Sequence, residues 1–418
     1  MIAVLKQSKF KIATEHIFML SALIVNGGNY LYNLILGRVL GPEKFADAAI
    51  IITFLLVLSF LAMTFQLVTA KFAVIFEGNT YTSFISKMYK GALVISLLLG
   101  MLIIYFSTNL QSVFKTSSSA MFVIFGIGVP FYFLMSVNRG VFQGNKELLS
   151  LSGTYQMEMI SRLILTFTFL YLLKIESSVI IALGVLGSFL FGLFPFKTKN
   201  ISFKNTIQLS ESQTKAVRSF FIITVFYELT QIIINNSDIL LVKHYFTSYD
   251  AGLYASLALI GRVVYFIAWM FVMILLPVVV KLKKEGKPTK PVLFKYVSYI
   301  GVITSMIIVV CFLFPKEVIT LLFGDGYLEV SNLLWKYALA TGVFAISNIF
   351  TYYYLSLDKY LPVVFSGLFG IAQIGLIVQF HNSINQVIMM QVYVMTFLLV
   401  LQLLYFLVTE RKNKNLNV

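Results

Sequence analysis

Apolar stretches follow one another along the whole chain, most of them about 20 residues long, the length that crosses a hydrocarbon core of about 30 Å. Twelve spans are expected, near 15–36, 46–70, 91–110, 119–142, 151–173, 178–196, 217–242, 252–280, 292–314, 331–355, 360–380 and 385–408. Within each, apolar residues run on without alternating. The pattern therefore predicts helices rather than the period-two strands of a barrel. The first stretch reads as a span and not a cleavable signal peptide. Lys6, Lys9 and Lys11 precede it, but it is too long and lacks a small-residue cleavage site.

Composition agrees. Of the 418 residues 59% are hydrophobic and 12% charged, with a mean hydropathy of +0.89, against about 45–50% and about 25% in soluble domains. The expected class is an all-α polytopic membrane protein. The net charge of +15 changes the picture only through its placement. With the N-terminus inside, most of the 32 Lys and Arg fall at cytoplasmic ends, as the positive-inside rule expects. The inner clusters are Lys197, Lys199, Lys204, Lys215 and Arg218, then Lys281, Lys283, Lys284, Lys287, Lys290 and Lys295. Both termini are expected in the cytoplasm, no nucleic-acid partner is implied, and attraction to anionic lipid heads follows as a by-product.

The single cysteine, Cys311, excludes an internal disulfide framework. His16, His244 and His381 are scattered and make no metal motif. The "GIGVP" stretch at Gly126 to Pro130 lies inside a span, without the strand–turn–helix setting of a phosphate loop. No loop is long enough for a soluble catalytic domain. Neither an enzyme, a cofactor nor a metal is expected.

The chain also reads as a repeat. Shifted by 205 residues, "NYLYNLILGR" (Asn29 to Arg38) overlays "INNSDILLVK" (Ile234 to Lys243), with Asn33 on Asp238 and Arg38 on Lys243. "NKELLSLSG" likewise resembles "DKYLPVVFSG" at a similar shift. Two six-span lobes follow, residues 1–200 and 217–418, joined by a cytoplasmic linker at 201–216. Parallel repeats of this kind are a transporter design, with the substrate between the halves.

Polar stripes fall into register under that shift. Thr224, Glu228, Gln231, Asn235 and Asp238 follow a three-and-four spacing and share one helix face, as do Asn26, Tyr30 and Asn33 in the first span. A stripe of this kind facing lipid would strand amides and carboxylates in hydrocarbon. It faces either a neighbouring helix, as hydrogen-bond glue, or a polar cavity.

Charges appear deep in two spans. Glu158 and Arg162 are four apart in "YQMEMISRLILTFTFLYLL" and can pair. Counted from Leu151 at 1.5 Å per residue, Arg162 lies about 16 Å deep. Arg262 lies about 15 Å into the eighth span by the same count. It has no acid at i±3 or i±4, while Tyr265 and Trp269 share its face for cation–π support. Two midplane arginines are costly unless paired or wet, and a guanidinium suits phosphate. A self-neutralised Glu158–Arg162 pair that only holds the fold is the plainer alternative.

"LGRVLGPEKFADAA", "NRGVFQGNKELL" with "EMISRLIL" after it, "NSDILLVKHYFTSYDAGLYASLALIGR" and "ITLLFGDGYLEVSNLL" together resemble the oligosaccharide flippases of bacterial polysaccharide synthesis. These belong to the multidrug/oligosaccharidyl-lipid/polysaccharide (MOP) exporter superfamily. The resemblance implies a MATE/MOP-like fold of two six-helix lobes, a V-shaped cavity and alternating access. The implied cargo is an undecaprenyl-pyrophosphate-linked oligosaccharide turned from the inner to the outer leaflet of the cytoplasmic membrane, for O-antigen or a related polysaccharide. By position, Arg139 and Gln143 match the family's Arg-Gly-x-x-Gln-Gly pattern, Asp238 its span-seven acid, and Arg262 its Gly-Arg. Phe45–Ala46 stands where the family commonly has Phe-Gly.

Arg162, Arg262, Arg139, Arg38, Asn26, Asn33, Gln231 and Asn235 are the expected cavity and diphosphate residues. Glu158, Glu228 and Asp238 are the expected ion-coupling or charge-partner residues. Tyr352, Tyr353 and Tyr354 read as interfacial anchors or as platforms for sugar rings. The bilayer is the expected surrounding, polysaccharide polymerase and glycosyltransferases are candidate partners, and a monomer is expected to function. Two rival functions share the fold: a multidrug cation antiporter, disfavoured by the midplane arginines, and a non-transporting scaffold, disfavoured by the polar stripes.

Overall fold

The structure is a computed structural model that describes residues 14–173, 175–196, 209–357 and 359–415. Among these residues there is no strand, and helices account for nearly all of them.

The first two expected spans join in α1, Thr14–Ile75, which is broken at Gly41 (φ 71°, ψ 171°) before Pro42. The left-handed φ needs glycine, and proline then offers no amide to the preceding turn. The chain continues through α2 (Gly78–Tyr105), α3 (Ser107–Phe114), α4 (Ala120–Gly144), α5 (Leu148–Leu172), α6 (Ser177–Gly192) and α7 (Glu211–Tyr245). It is completed by α8 (Ser248–Lys284), α9 (Lys290–Leu313), α10 (Pro315–Leu322), α11 (Leu334–Ser356), α12 (Leu361–Gln379) and α13 (Ile384–Asn415). A short 3₁₀ segment, Asp325–Leu333, precedes α11. Hydrophobic pattern did not foresee α10 or this segment. Pro315 starts α10 and Gly324 (φ 91°) ends its approach, so turn residues rather than hydropathy set them.

Eight stretches among the described residues are long and apolar enough to cross a membrane. Ile17–Ile75 counts as one of them although its 59 residues would reach about 88 Å at 1.5 Å per residue. Helix α6 is shorter, at 16 residues, and α5 is made less apolar by Glu158 and Arg162. The expected linker at 201–216 lies mostly outside the described residues, as do Lys197, Lys199 and Lys204 and the side chains of Lys281 and Lys284.

The described residues fall into two compact units. One comprises Met1–Tyr32, Leu61–Ser107 and Ala120–Thr224 as far as they are described. Its core joins Phe65 to Phe133 and Phe221, Phe72 to Phe84 and Phe220, and stacks Tyr132 on Phe189 at 4.9 Å. Helix α4 approaches α1 through glycine. A Cβ on Gly144 would stand 2.7 Å from the Ala70 carbonyl oxygen, and one on Gly140 would press on Gln66 and Thr69. Small residues at this spacing let two backbones meet, the packing mode that substitutes for hydrophobic drive inside lipid.

The other unit comprises Asn33–Phe60, Thr108–Ser119 and Val225–Val418. Leu275, Leu293, Ile300, Ile349, Phe350 and Phe406 build its main core, with Ile234, Phe344 and Leu398 in a second cluster. Tyr352, Tyr353 and Tyr354 are buried here, not interfacial and not open to a ligand: they are 9%, 3% and 2% exposed. Tyr353 Oη lies 2.8 Å from Thr289 Oγ1, and Tyr227 packs edge-on against Tyr352. Packing inside the bundle has overridden the surface preference of the phenol.

Candidate functional site

Three charged side chains meet inside the first unit. Arg139 on α4 sends Nη2 to Glu158 Oε2 on α5 at 2.7 Å, and Arg162, one turn further along α5, pairs with Glu158 Oε1. The expected Glu158–Arg162 pair is present, but it is not self-contained. Two guanidinium groups share one carboxylate, and the cluster keeps one unbalanced positive charge. Side-chain exposure is only 5% for Arg139, 9% for Arg162 and 14% for Glu158.

Neutral partners complete the arrangement. Arg139 Nε donates to Thr154 Oγ1 (3.1 Å), and Arg139 Nη2 also donates to the Thr154 carbonyl (3.0 Å). Its guanidinium carbon lies 3.9 Å from the centre of the Tyr155 ring. Arg162 Nη1 reaches Asn29 Oδ1 and Nε reaches Ser188 Oγ, both at 3.3 Å. At 3.3 Å these two bonds are longer than those Arg139 makes to Thr154.

The segment Arg139-Gly-Val-Phe-Gln-Gly144 now has a physical reading. Its two glycines face α1. Its arginine and glutamine are four apart and share another face: Arg139 meets Thr154 and Glu158 on α5, and Gln143 meets Gln66 on α1, which in turn donates to Tyr155 on α5.

The second unit holds a different polar centre. Asp238 on α7 is 1% exposed and its Oδ2 accepts hydrogen bonds from Tyr254 Oη (2.7 Å) and Tyr337 Oη (2.9 Å). Gln391 donates to Tyr254 in turn. Asp238 Oδ1 is buried without a hydrogen-bond partner among the described residues. A cavity of about 30 Å³ opens beside it, lined in part by Asn235, Arg262, Tyr265 and Gln391, room for one water molecule. Arg262 Nη2 donates to Asn236 Oδ1 at 3.0 Å. Tyr265 stacks on Phe344 and donates to Gln231 Oε1, so its ring is engaged elsewhere. The Trp269 side chain lies outside the described residues.

The remaining expected residues are spread out. Arg38 is exposed and donates to the Leu321 carbonyl (3.1 Å). Asn26 and Asn235 are half-buried and turn their amides onto the carbonyls one turn back, Ala22 and Gln231. Asn33 is half-buried. Gln231 Nε2 is buried without a partner among the described residues. Glu228 is half-buried. Lys243, the repeat counterpart of Arg38, is 1% exposed and paired with Asp47.

Sequence reasoning missed Asn29, Thr154, Ser188, Gln66, Tyr254, Tyr337 and Gln391. Each is an ordinary polar residue on its own helix, and only the packing of distant helices brings it to a charge. Thr154, one turn before Glu158, and Asn29, between Asn26 and Asn33, left a signal in their spacing.

Residues 35–332 match the model of the polysaccharide biosynthesis protein family. No curated protein matches the sequence. Among solved structures, the chain is similar to the lipid II flippase MurJ in an inward closed conformation, with TM-score 0.74, 16% identity, and coverage of 94% of this chain and 87% of that one. It is also similar to a MATE transporter in a bent conformation, with TM-score 0.61, 12% identity, and coverage of 96% and 94%. A MOP superfamily transporter from Pyrococcus furiosus gives TM-score 0.58 at 12% identity over 93% of each chain. At these identities the likeness is one of fold.

Proposed function

The chain belongs to the polysaccharide biosynthesis protein family, within the MOP superfamily, and on that footing we propose that it flips a lipid-linked oligosaccharide across the membrane. The cargo of this reading is an undecaprenyl-pyrophosphate-linked repeat unit of O-antigen or another surface polysaccharide. It moves from the inner to the outer leaflet of the cytoplasmic membrane by alternating access of two six-helix lobes, residues 1–200 and 217–418. Both termini lie in the cytoplasm, the protein works as a monomer, and glycosyltransferases and a polymerase act before and after it.

One observation carries the proposal: Arg139 and Arg162 share the single carboxylate of Glu158 inside the first unit. A buried excess cation is expensive without a counter-charge, and a diphosphate brings one. In this reading Arg162 is the member that moves, because its bonds to Asn29 and Ser188 are longer than those of Arg139 to Thr154. A phosphate oxygen displaces Asn29, the planar fork grips it bidentately, and Arg139 keeps Glu158. The lipid tail stays in the bilayer.

The test is export in cells whose own copy of the gene is deleted. Arg162→Gln should abolish surface polysaccharide while the protein remains in the membrane and its lipid-linked precursor accumulates. Full polysaccharide from Arg162→Gln at normal abundance would overturn the proposal.

Glu228 favours a second reading, a multidrug cation antiporter. It is a half-buried intramembrane carboxylate with no hydrogen bond or ion pair among the described residues. Efflux of an organic cation driven by a sodium or proton gradient in vesicles, lost in Glu228→Gln, would support that reading over the flippase.

A further inference from the structure

The polar strip that begins at Arg139 does not end there. Gln66 on α1 is 4% exposed, and its Nε2 donates both to Gln143 Oε1 (3.0 Å) and to Tyr155 Oη (2.9 Å). Tyr155 Oη also approaches Gln66 Oε1 at 3.4 Å. Gln143 itself is exposed. With its carbonyl oxygen engaged by Gln66, the Gln143 amide is held in one orientation. Its Nε2, with two N–H donors, makes no hydrogen bond among the described residues.

We propose that Gln143, oriented by the buried Gln66 and flanked by Tyr155, recognises the sugar residue attached to the cargo diphosphate. This inference rests on the flippase reading. Gln143 and Arg139 lie on the same face of α4, four residues and about 6 Å apart along the axis, roughly the span of one pyranose ring. A phosphate bound at the arginines therefore sets its first sugar beside Gln143.

The chemistry suits that division. Sugar hydroxyls both donate and accept, and they are matched by neutral amides and phenols rather than by full charges. Gln143 supplies fixed donors, and Tyr155 a hydroxyl and an aromatic edge. An exposed glutamine that is merely solvated needs no buried amide to orient it. Gln66 is a positioning residue, since it acts through Gln143. Its place is secured by Gly140, which lets the α4 backbone lie directly on the Gln66 carbonyl.

Binding to the purified full-length protein in lipid nanodiscs tests this with two probes: undecaprenyl pyrophosphate, and the same lipid carrying one N-acetylhexosamine. Wild type should bind the sugar-bearing lipid more tightly. Gln143→Ala should weaken the sugar-bearing lipid about tenfold, the order of one lost hydrogen bond, and leave the bare lipid unchanged. Gln66→Leu should narrow the same gap by freeing the Gln143 amide. Gln143→Met, neutral and of similar length but without donors, carries the test if the alanine variant is not recovered in monodisperse form.

Equal weakening of both lipids, or of neither, would overturn the inference while leaving the diphosphate reading intact. Arg162→Gln reads that separately and should weaken both. Wild-type protein that binds neither lipid would overturn the flippase reading, and the sugar subsite with it.

Discussion

Lys243 Nζ lies 2.9 Å from Asp47 Oδ1, with side-chain exposures of 1% and 8%. Lys243 also donates to Ser248 Oγ (2.7 Å), and the Ser117 amide donates to Asp47 Oδ2 (2.8 Å). One buried pair thus ties α1, the segment before α4 and the α7–α8 turn into the second unit. Lys243→Met or Asp47→Asn alone strands the other charge and should cost about 3–5 kcal/mol. The Lys243→Met/Asp47→Asn double should recover much of that. Thermal unfolding of the purified variants in a double-mutant cycle measures it. A double no better than the worse single would mean that shape, not charge, sets the cost.

Glu158→Gln leaves Arg139 and Arg162 close together with no anion between them, and membrane abundance should fall. Adding Arg162→Gln should restore abundance, because Arg139 keeps its bonds to Thr154. Export should stay lost. Abundance by immunoblot and glycan export, scored separately, distinguish the two roles. Export that returns in the double variant would leave this cluster a purely structural one.

Arg262 donates to Asn236 from α8 to α7. We expect it to contact the cargo as well, so that Arg262→Lys, which loses the planar fork, exports poorly and Arg262→Ala is nearly inactive at normal protein levels. Asn236→Ala should be milder. Normal polysaccharide from Arg262→Ala would reduce the residue to packing.

Gly144→Val places side-chain carbon against the Ala70 carbonyl and the Ala73 methyl, each 2.7 Å from the new Cβ. Separating α4 from α1 should cost about 1–3 kcal/mol or more, read as lower thermal stability. A variant as stable as wild type would show that the two helices can part without loss.

Topology is open to cysteine labelling in intact cells. Lys287→Cys, on a side chain 63% exposed, should resist a membrane-impermeant maleimide until the cells are opened, and Asp325→Cys should react at once. Lys243 is too buried to serve as an outer marker. Labelling of Lys287→Cys from outside would reverse the orientation.

Class, helical content and family were written in the sequence, because apolar runs about as long as a bilayer is thick leave the backbone few alternatives. Glu158 and Arg162 announced their pairing by spacing alone, since i and i+4 meet on any helix. What lay beyond one helix did not show. That Arg139 joins Glu158, that Gln66 orients Gln143, and that Lys243 pairs with Asp47 depend on which helices touch. Such contacts arise where small residues such as Gly140 and Gly144 let backbones approach, and a hydropathy pattern carries no record of a neighbour's face. The first two expected spans are the two arms of α1, separated by the break at Gly41 before Pro42. Local periodicity determined the helices. Packing between distant segments decided which of their charges stand balanced and which one does not.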